Sequence, residues 1–314
     1  MSLALTERQT RDIEALCQIA KENGVLMSLR ELIGLAAIDG SELELERAFM
    51  ADSTLRSKFL LESGYVLDRF GNTAAAKLEA VAEEEARRER ARINIEKATR
   101  FGRLLVRGSV LVSVSGTNSY LSAAAREDID FFCVTKSNGM WLFILKALML
   151  ARIHRMANKD VPELCFSCVM DQRRAEREFR DRQNPIFARD ALTAKLIGGE
   201  AAYRSLLLAA PWMASYFPVF YALKLRETSE NGRESKSTEM AEGAIRRHSL
   251  LNYFLYLTLG SFLRMKSWAL NRRLTKAGKH SAIFITKVEP GYYVYESNRY
   301  RMLRRMYDEF EVDR

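Results

Sequence analysis

Two carboxylates, Asp128 and Asp130, head the run Asp-Ile-Asp-Phe-Phe-Cys-Val-Thr over residues 128–135, and this pair constrains the chain more than any other feature. Successive side chains of a strand alternate, so residues two apart share a face and both acids point the same way. Like charges that close are costly without a cation between them. Paired hard oxygen ligands suit Mg²⁺ carrying a nucleotide's phosphates.

Residues 110–115, Val-Leu-Val-Ser-Val-Ser, read as a strand that runs into Gly116 and Thr117, and ten residues then separate Thr117 from Asp128. Gly116 lets backbone N–H groups approach a phosphate with no Cβ in the way, and the Thr117 hydroxyl can donate to a phosphate oxygen. Either half alone has a plainer reading: an Asp-x-Asp on a strand is commonly a solvated edge, and a Gly-Thr is commonly a turn. The spacing joins them into one unit of strand, tight turn, short helix and acidic strand.

This arrangement resembles the nucleotidyltransferase superfamily that includes DNA polymerase beta, whose signature is Gly-Ser or Gly-Gly, a spacer of similar length, then Asp-x-Asp or Asp-x-Glu on a strand. Thr117 stands where serine is commoner and keeps the hydroxyl. The resemblance implies Mg²⁺-dependent transfer of a nucleoside monophosphate from a nucleoside triphosphate (NTP) to an acceptor hydroxyl. Asp128 and Asp130 are then the catalytic metal ligands, and Gly116 and Thr117 hold the triphosphate. The superfamily also uses a third carboxylate. Glu163, at the start of the apolar strand expected over 162–171, is the candidate, and Asp171 at its far end is the rival. Lys136, directly after the acidic strand, is a candidate phosphate contact. The wider pattern is similar to a group of archaeal and bacterial predicted nucleotidyltransferases with an N-terminal winged helix. The similarity rests on the Gly-Thr and Asp-Ile-Asp-Phe-Phe unit, the following Trp141, and the later Leu196-Ile-Gly-Gly199, Tyr203 and Pro211-Trp212 positions. That group usually has Gly-Ser at 116–117, and its acceptor is open: a nucleic acid, a protein or a small molecule. The competing expectation is a regulator whose degenerate pocket senses a nucleotide without turning it over.

The N-terminal residues carry written helix starts. Thr6-x-x-Gln9, Ser28-x-x-Glu31 and Ser41-x-x-Glu44 match capping boxes, and Gly24, Gly40 and Gly64 fall where helices stop. Helices are expected over 7–22, 29–38 and 42–62, the last broken near Asp52, followed by a short strand and turn. Helix, brief strand, two helices and a hairpin is the order of a winged helix. Glu42, Glu44, Glu46 and Asp52 place acid on its third helix, which repels phosphate and favours packing or protein contact over DNA reading. A long Arg-rich helix over 74–103 leads to the acidic unit.

The fold class expected is α+β: a winged-helix-like domain at 1–72, a small mixed-sheet nucleotidyltransferase domain with its linker helix at 73–226, and a basic, mainly helical region at 227–314. Forty-nine Lys and Arg against forty Asp and Glu give a net charge of +9, which favours acidic partners such as nucleotides or nucleic acid. Four cysteines and a charged start at residues 6–11 point to a reducing cytoplasm. Cys165 and Cys168 fall three apart in a strand, so alternation sends them to opposite faces as small buried hydrophobes. The apolar stretch 250–263 contains Asn252 and is shorter than the roughly twenty residues a membrane span needs. It reads as a buried helix, with an interfacial membrane helix as the lesser alternative.

Overall fold

The computed structural model describes residues 3–22, 24–70, 73–158, 161–230, 242–278 and 283–297. Helix α1 (Glu7–Glu22) starts where the Gln9 amide donates to the Thr6 hydroxyl at 3.2 Å. A two-residue strand, β1 (Met27–Ser28), enters α2 (Leu29–Leu35), and α3 (Glu42–Ala51) follows, each opened by a complete capping box on Ser28 and Ser41. The break expected near Asp52 in the helix 42–62 falls at Asp52 itself, and residues 59–62 are strand rather than helix. Asp52 turns extended and accepts from the Thr54 and Leu55 amides to cap α4 (Ser53–Lys58). Strands β2 (Phe59–Glu62) and β3 (Tyr65–Asp68) then pair across Ser63 and Gly64, both at positive φ, the conformation a two-residue hairpin turn requires. The small antiparallel sheet has the order β1-β3-β2.

Helix α5 (Ala74–Val106) delivers the chain to a second sheet. This sheet contains β4 (Ser109–Ser115), β5 (Ile129–Thr135), β6 (Leu164–Asp171), β7 (Lys195–Gly198), β8 (Phe284–Glu289) and β9 (Tyr292–Ser297). Among the described residues its order is β7-β4-β5-β6-β9-β8. Among the described strands only β5 and β6 run parallel, with the long helix α7 (Met140–Ala157) as their crossover. The other helices are α6 (Gly116–Ser119), α8 (Gln172–Asp181), α9 (Pro185–Thr193), α10 (Glu200–Leu208), α11 (Met213–Tyr216), α12 (Pro218–Glu230) and α13 (Glu242–Lys276). The fold is α+β.

Alternation along the strands divides the core in two. Phe131, Cys133, Val112, Val114 and Val169 face α5 and α7, where Phe101 and Trp141 are fully buried, and α13 closes this side. Phe132, Val134 and Met170 face the opposite way, into a core built by Phe179, Phe187, Tyr203 and Met213. That second core continues without a break into Ile13, Leu32 and Phe49 of the N-terminal helices. A Cβ at Gly34 would overlap the Phe220 ring, so α2 and α12 lie in direct contact.

Among its described residues the C-terminal region is mainly helical, through α13, and it also carries two strands. Its hairpin β8–β9 pairs with β6, Val169 opposite Tyr293, and so completes the sheet. The sequence reads as a short strand at 282–286 and a turn at Glu289-Pro290-Gly291; the structure has the strand at Phe284–Glu289 and the turn after it, and the aromatic run that follows is a second strand. The polar stretch 228–238 reads as a linker and 298–309 as a last, Arg-rich helix; residues 228–230 belong to α12, while the rest of both lies outside the described residues. The stretch 250–263 is not a buried helix all round. Its Asn252 is buried and accepts from the Trp141 amide at 2.7 Å, whereas Leu250 is 78% exposed. No helix among the described residues is long and apolar enough to cross a membrane.

Candidate functional site

Antiparallel pairing of β4 with β5 sets Ser115 beside Asp130, so the chain leaves β4 and turns at Gly116 directly over the acidic end of β5. Gly116 has φ +67, a conformation only glycine adopts without strain, and a Cβ there would stand 2.9 Å from Asp130 Oδ2. The glycine is therefore demanded twice, once by its dihedral and once by the carboxylate packed against its α-carbon.

The turn is built from its own polar groups. Ser119 Oγ donates to the Gly116 carbonyl at 2.7 Å, and the Ser122 amide donates to the Thr117 carbonyl at 3.0 Å. Asn118 is fully buried; its Nδ2 donates to the Asp128 carbonyl at 2.9 Å, and its Oδ1 accepts from Asn94 of α5, also at 2.9 Å. This relay pins the backbone of Asp128 to the long helix. Two hydroxyl oxygens of the same turn, on Thr117 and Ser122, are buried without a hydrogen-bond partner among the described residues. Buried polar groups are almost always paired, so an orphaned Thr117 hydroxyl beside a bare glycine is a donor still lacking its acceptor.

Asp128 is exposed just ahead of the strand, and Asp130 is half-buried within it, on the face of Phe132. Two residues apart, their α-carbons lie about 7 Å from each other. Burial pushes the Asp130 carboxyl up to about 6, and the negative charges of Asp128 and Glu127 add to this. Hydrogen bonds from the Cys165 thiol and the Ser167 hydroxyl pull the other way. Asp128 is also raised, by partial burial first and then by Glu163 and Glu127, against the opposing charge of Arg155.

The other candidates are distributed unequally. Parallel pairing sets Leu164 beside Ile129, so Glu163 begins the neighbouring strand level with Asp128, and its carbonyl accepts from the Ile129 amide at 2.8 Å. Its carboxylate, however, is 56% exposed and paired with Arg155 at 3.2 Å. The residue level with Asp130 on β6 is the neutral Cys165. Asp171 lies at the opposite end of β6, where it caps α8 through the Arg174 amide and leaves no room for a Cβ on Gly291. Lys136 is not brought to the pair: the carboxylates head β5 and Lys136 follows its last residue, roughly 20 Å away along the strand. Among the described residues no group of three or more His, Cys, Asp or Glu is close enough to hold a metal by itself. Two acids do suffice for Mg²⁺ when a substrate's phosphates supply the remaining oxygens.

Several participants were not anticipated. Asn94 interrupts a helix otherwise rich in Ala, Glu and Arg, and a lone polar residue at an inward position is the signal that marks it. Cys165 and Cys168 both fall on the Asp130 face, not on opposite ones, because the register with β5 slips between Asp130 and Phe132. Arg189 of α9 stacks over the Tyr120 ring, 4.2 Å from its centroid, and brings a cation next to the glycine turn. No protein-family model, curated protein or solved structure matches the chain, so the geometry of the site carries the functional reading alone.

Proposed function

We propose that the Gly116 turn and the Asp128–Asp130 pair form a nucleotide site of the nucleotidyltransferase kind, which moves a nucleoside monophosphate from an NTP to an acceptor hydroxyl. The observation that carries this reading is the contact between the Gly116 α-carbon and the Asp130 carboxylate, which brings a side-chain-free turn of backbone and a metal-type ligand to the same point. Asp128 and Asp130 would hold Mg²⁺, whose role is to neutralise charge on the phosphates and on the leaving oxygen. Gly116 admits the triphosphate to the backbone, and the Thr117 hydroxyl donates to it. The relay through Asn118 and Asn94 fixes the first aspartate. In the reaction the acceptor oxygen bonds to the α-phosphorus as the bond to the β-phosphate breaks, and pyrophosphate leaves.

A second reading is favoured by one observation: Cys165, not an acid, stands level with Asp130, and Glu163 is tied to Arg155. On that reading the site binds Mg²⁺–NTP and signals its presence with little or no transfer. The N-terminal unit, whose element order is that of a winged helix, then acts through protein contact. Its α2 is already packed on α12, and the acids of α3 are engaged, Glu42 with Arg30 and Glu44 with its own helix start.

Titration with each of the four NTPs in the presence of Mg²⁺, followed by measurement of pyrophosphate release, separates the two. Binding that disappears in both Asp128→Asn and Asp130→Asn supports the site, and release of pyrophosphate on top of it supports transfer. Wild-type binding in the two variants would reject the site altogether.

A further inference from the structure

Eight of the twenty large apolar side chains that stand exposed among the described residues belong to α13. The inner stripe of this helix is fully engaged. Asn252 caps the first turn of α7, a Cβ on Gly260 would stand 3.0 Å from Val288, and the Ser267 hydroxyl bonds that of Thr286. Among the described residues the outer stripe meets no other element; Trp268 is overlaid only by Arg272 of its own helix, 5.4 Å from the ring centroid. Leu250, Phe254, Leu257, Met265 and Trp268 are 78, 59, 49, 59 and 61% exposed.

The outer positions are ordered about Ser261, which is itself exposed. Leu257 and Met265 lie four residues to either side of it, Phe254 and Trp268 seven, and Leu250 and Arg272 eleven. With about 3.6 residues per turn, all of these offsets stay on one narrow stripe. A seam that reads alike in both directions from a small central residue fits an antiparallel copy of itself. Leu257 then meets Met265 of the second copy, Phe254 meets its Trp268, and Leu250 lies along the Arg272 stem.

Charge selects the same orientation. Residues 250–263 carry no charge, whereas Arg264, Lys266, Arg272, Arg273 and Lys276 follow in the second half. Parallel pairing would set these five cations against five, while antiparallel pairing lays Arg264, Lys266, Arg272 and Arg273 on the uncharged positions 258, 256, 250 and 249 and brings only Lys276 level with a cation, Arg246. The area is also sufficient. The five large side chains on the stripe, each about half or more exposed, offer roughly 600 Å², and Leu251, Tyr253 and Phe262 on its flanks bring this towards the roughly 800 Å² that one partner contributes to a standard interface.

We propose that α13 is a self-association surface, and that two copies of this chain pair antiparallel along it with their two-fold axis at Ser261. Because α13 covers the sheet face opposite Asp130, the dimer leaves both candidate nucleotide sites open.

Light scattering on the eluting full-length protein, over a broad concentration range, tests this. The wild type is expected at twice the chain mass, and Phe254→Glu and Trp268→Glu at the chain mass with unchanged circular dichroism, because both side chains face outward. Orientation is read by crosslinking. Oxidised mixtures of Leu257→Cys with Met265→Cys copies should form an intermolecular disulfide, while neither variant should crosslink to itself, since self-pairs lie about 12 Å apart along antiparallel helices. A wild-type monomer at all concentrations overturns the proposal, and self-crosslinking of each single variant overturns the antiparallel geometry. Two further results also overturn it: a monomer that co-sediments with anionic phosphatidylserine vesicles through this stripe, and a monomer that dimerises only once residues 298–314 are removed.

Discussion

The carboxylate of Asp130 rests against the bare α-carbon of Gly116, where a Cβ would come within 2.9 Å of Oδ2. Backbone and acid are thus matched to each other across the ends of two antiparallel strands. Gly116→Ala should damage the protein in two ways. At φ +67 alanine carries a left-handed penalty of about 1–2 kcal/mol, and its methyl must displace the Asp130 side chain. We expect a lower unfolding midpoint in urea together with NTP affinity reduced tenfold or more. Normal affinity in the alanine variant would show that the phosphates do not pass over this glycine.

Asn118 links the turn to the long helix, giving one hydrogen bond to the Asp128 carbonyl and taking one from Asn94. Asn118→Ala leaves a buried carbonyl and a buried amide without partners, which costs about 2–3 kcal/mol. Asn94→Ala removes only the outer link and should cost less. Both should raise the NTP concentration needed for half-saturation, Asn118→Ala the more. Equal stability losses in the two variants would mean that the relay does not end on Asp128.

The raised Asp130 carboxyl gives the metal-free protein a definite pH dependence. Its value moves from an ordinary 3.8 to about 6 on folding, so between these limits the native state binds more protons than the unfolded chain. The associated stability is fully present below pH 3.8 and is lost as pH rises through 6. In EDTA, Asp130→Asn should therefore be more stable than the wild type at pH 7, by ~2 kcal/mol, and nearly equal to it at acid pH. Parallel stability curves for the two proteins would remove Asp130 as a buried, unpaired acid.

The acidic unit was legible because it is local: one glycine, one short spacer and two acids within fifteen residues fix their own geometry once both flanking strands form. The helix starts were legible for the same reason, since Ser28 with Glu31 and Ser41 with Glu44 complete their hydrogen bonds within a single turn. What the sequence hid was long-range. Nothing near Tyr292 announces a partner on β6, and a hairpin after a long helix reads as an appendage until pairing places it in the sheet. The slip between Asp130 and Phe132 is equally silent in the sequence, yet it decides which residues of β6 face the acids. Lys136 is set apart from the acids for a simpler reason: a strand has two ends, and Asp130 and Lys136 stand at opposite ends of β5.

That slip makes Cys165 the most informative position left to change. Its α-carbon is level with Asp130, its thiol donates to the carboxylate, and burial together with Asp130 keeps that thiol protonated. Cys165→Asp would add a third acid to the row and replace a donor by a like charge, so the metal-free protein should lose stability. With Mg²⁺ present the sign reverses, because a cation held between Asp128 and Asp130 gains a ligand. Affinity should rise about tenfold, roughly 1.4 kcal/mol, and the Mg²⁺-induced increase in melting temperature should exceed that of the wild type. Glu163→Gln, by contrast, breaks only an exposed ion pair with Arg155 and should leave that increase nearly unchanged. Thermal melts of the three proteins with and without Mg²⁺–NTP decide the matter. If Cys165→Asp is destabilised equally in both conditions while Glu163→Gln loses its response to Mg²⁺, the cation sits outside the Asp130 row and Glu163 is its third ligand.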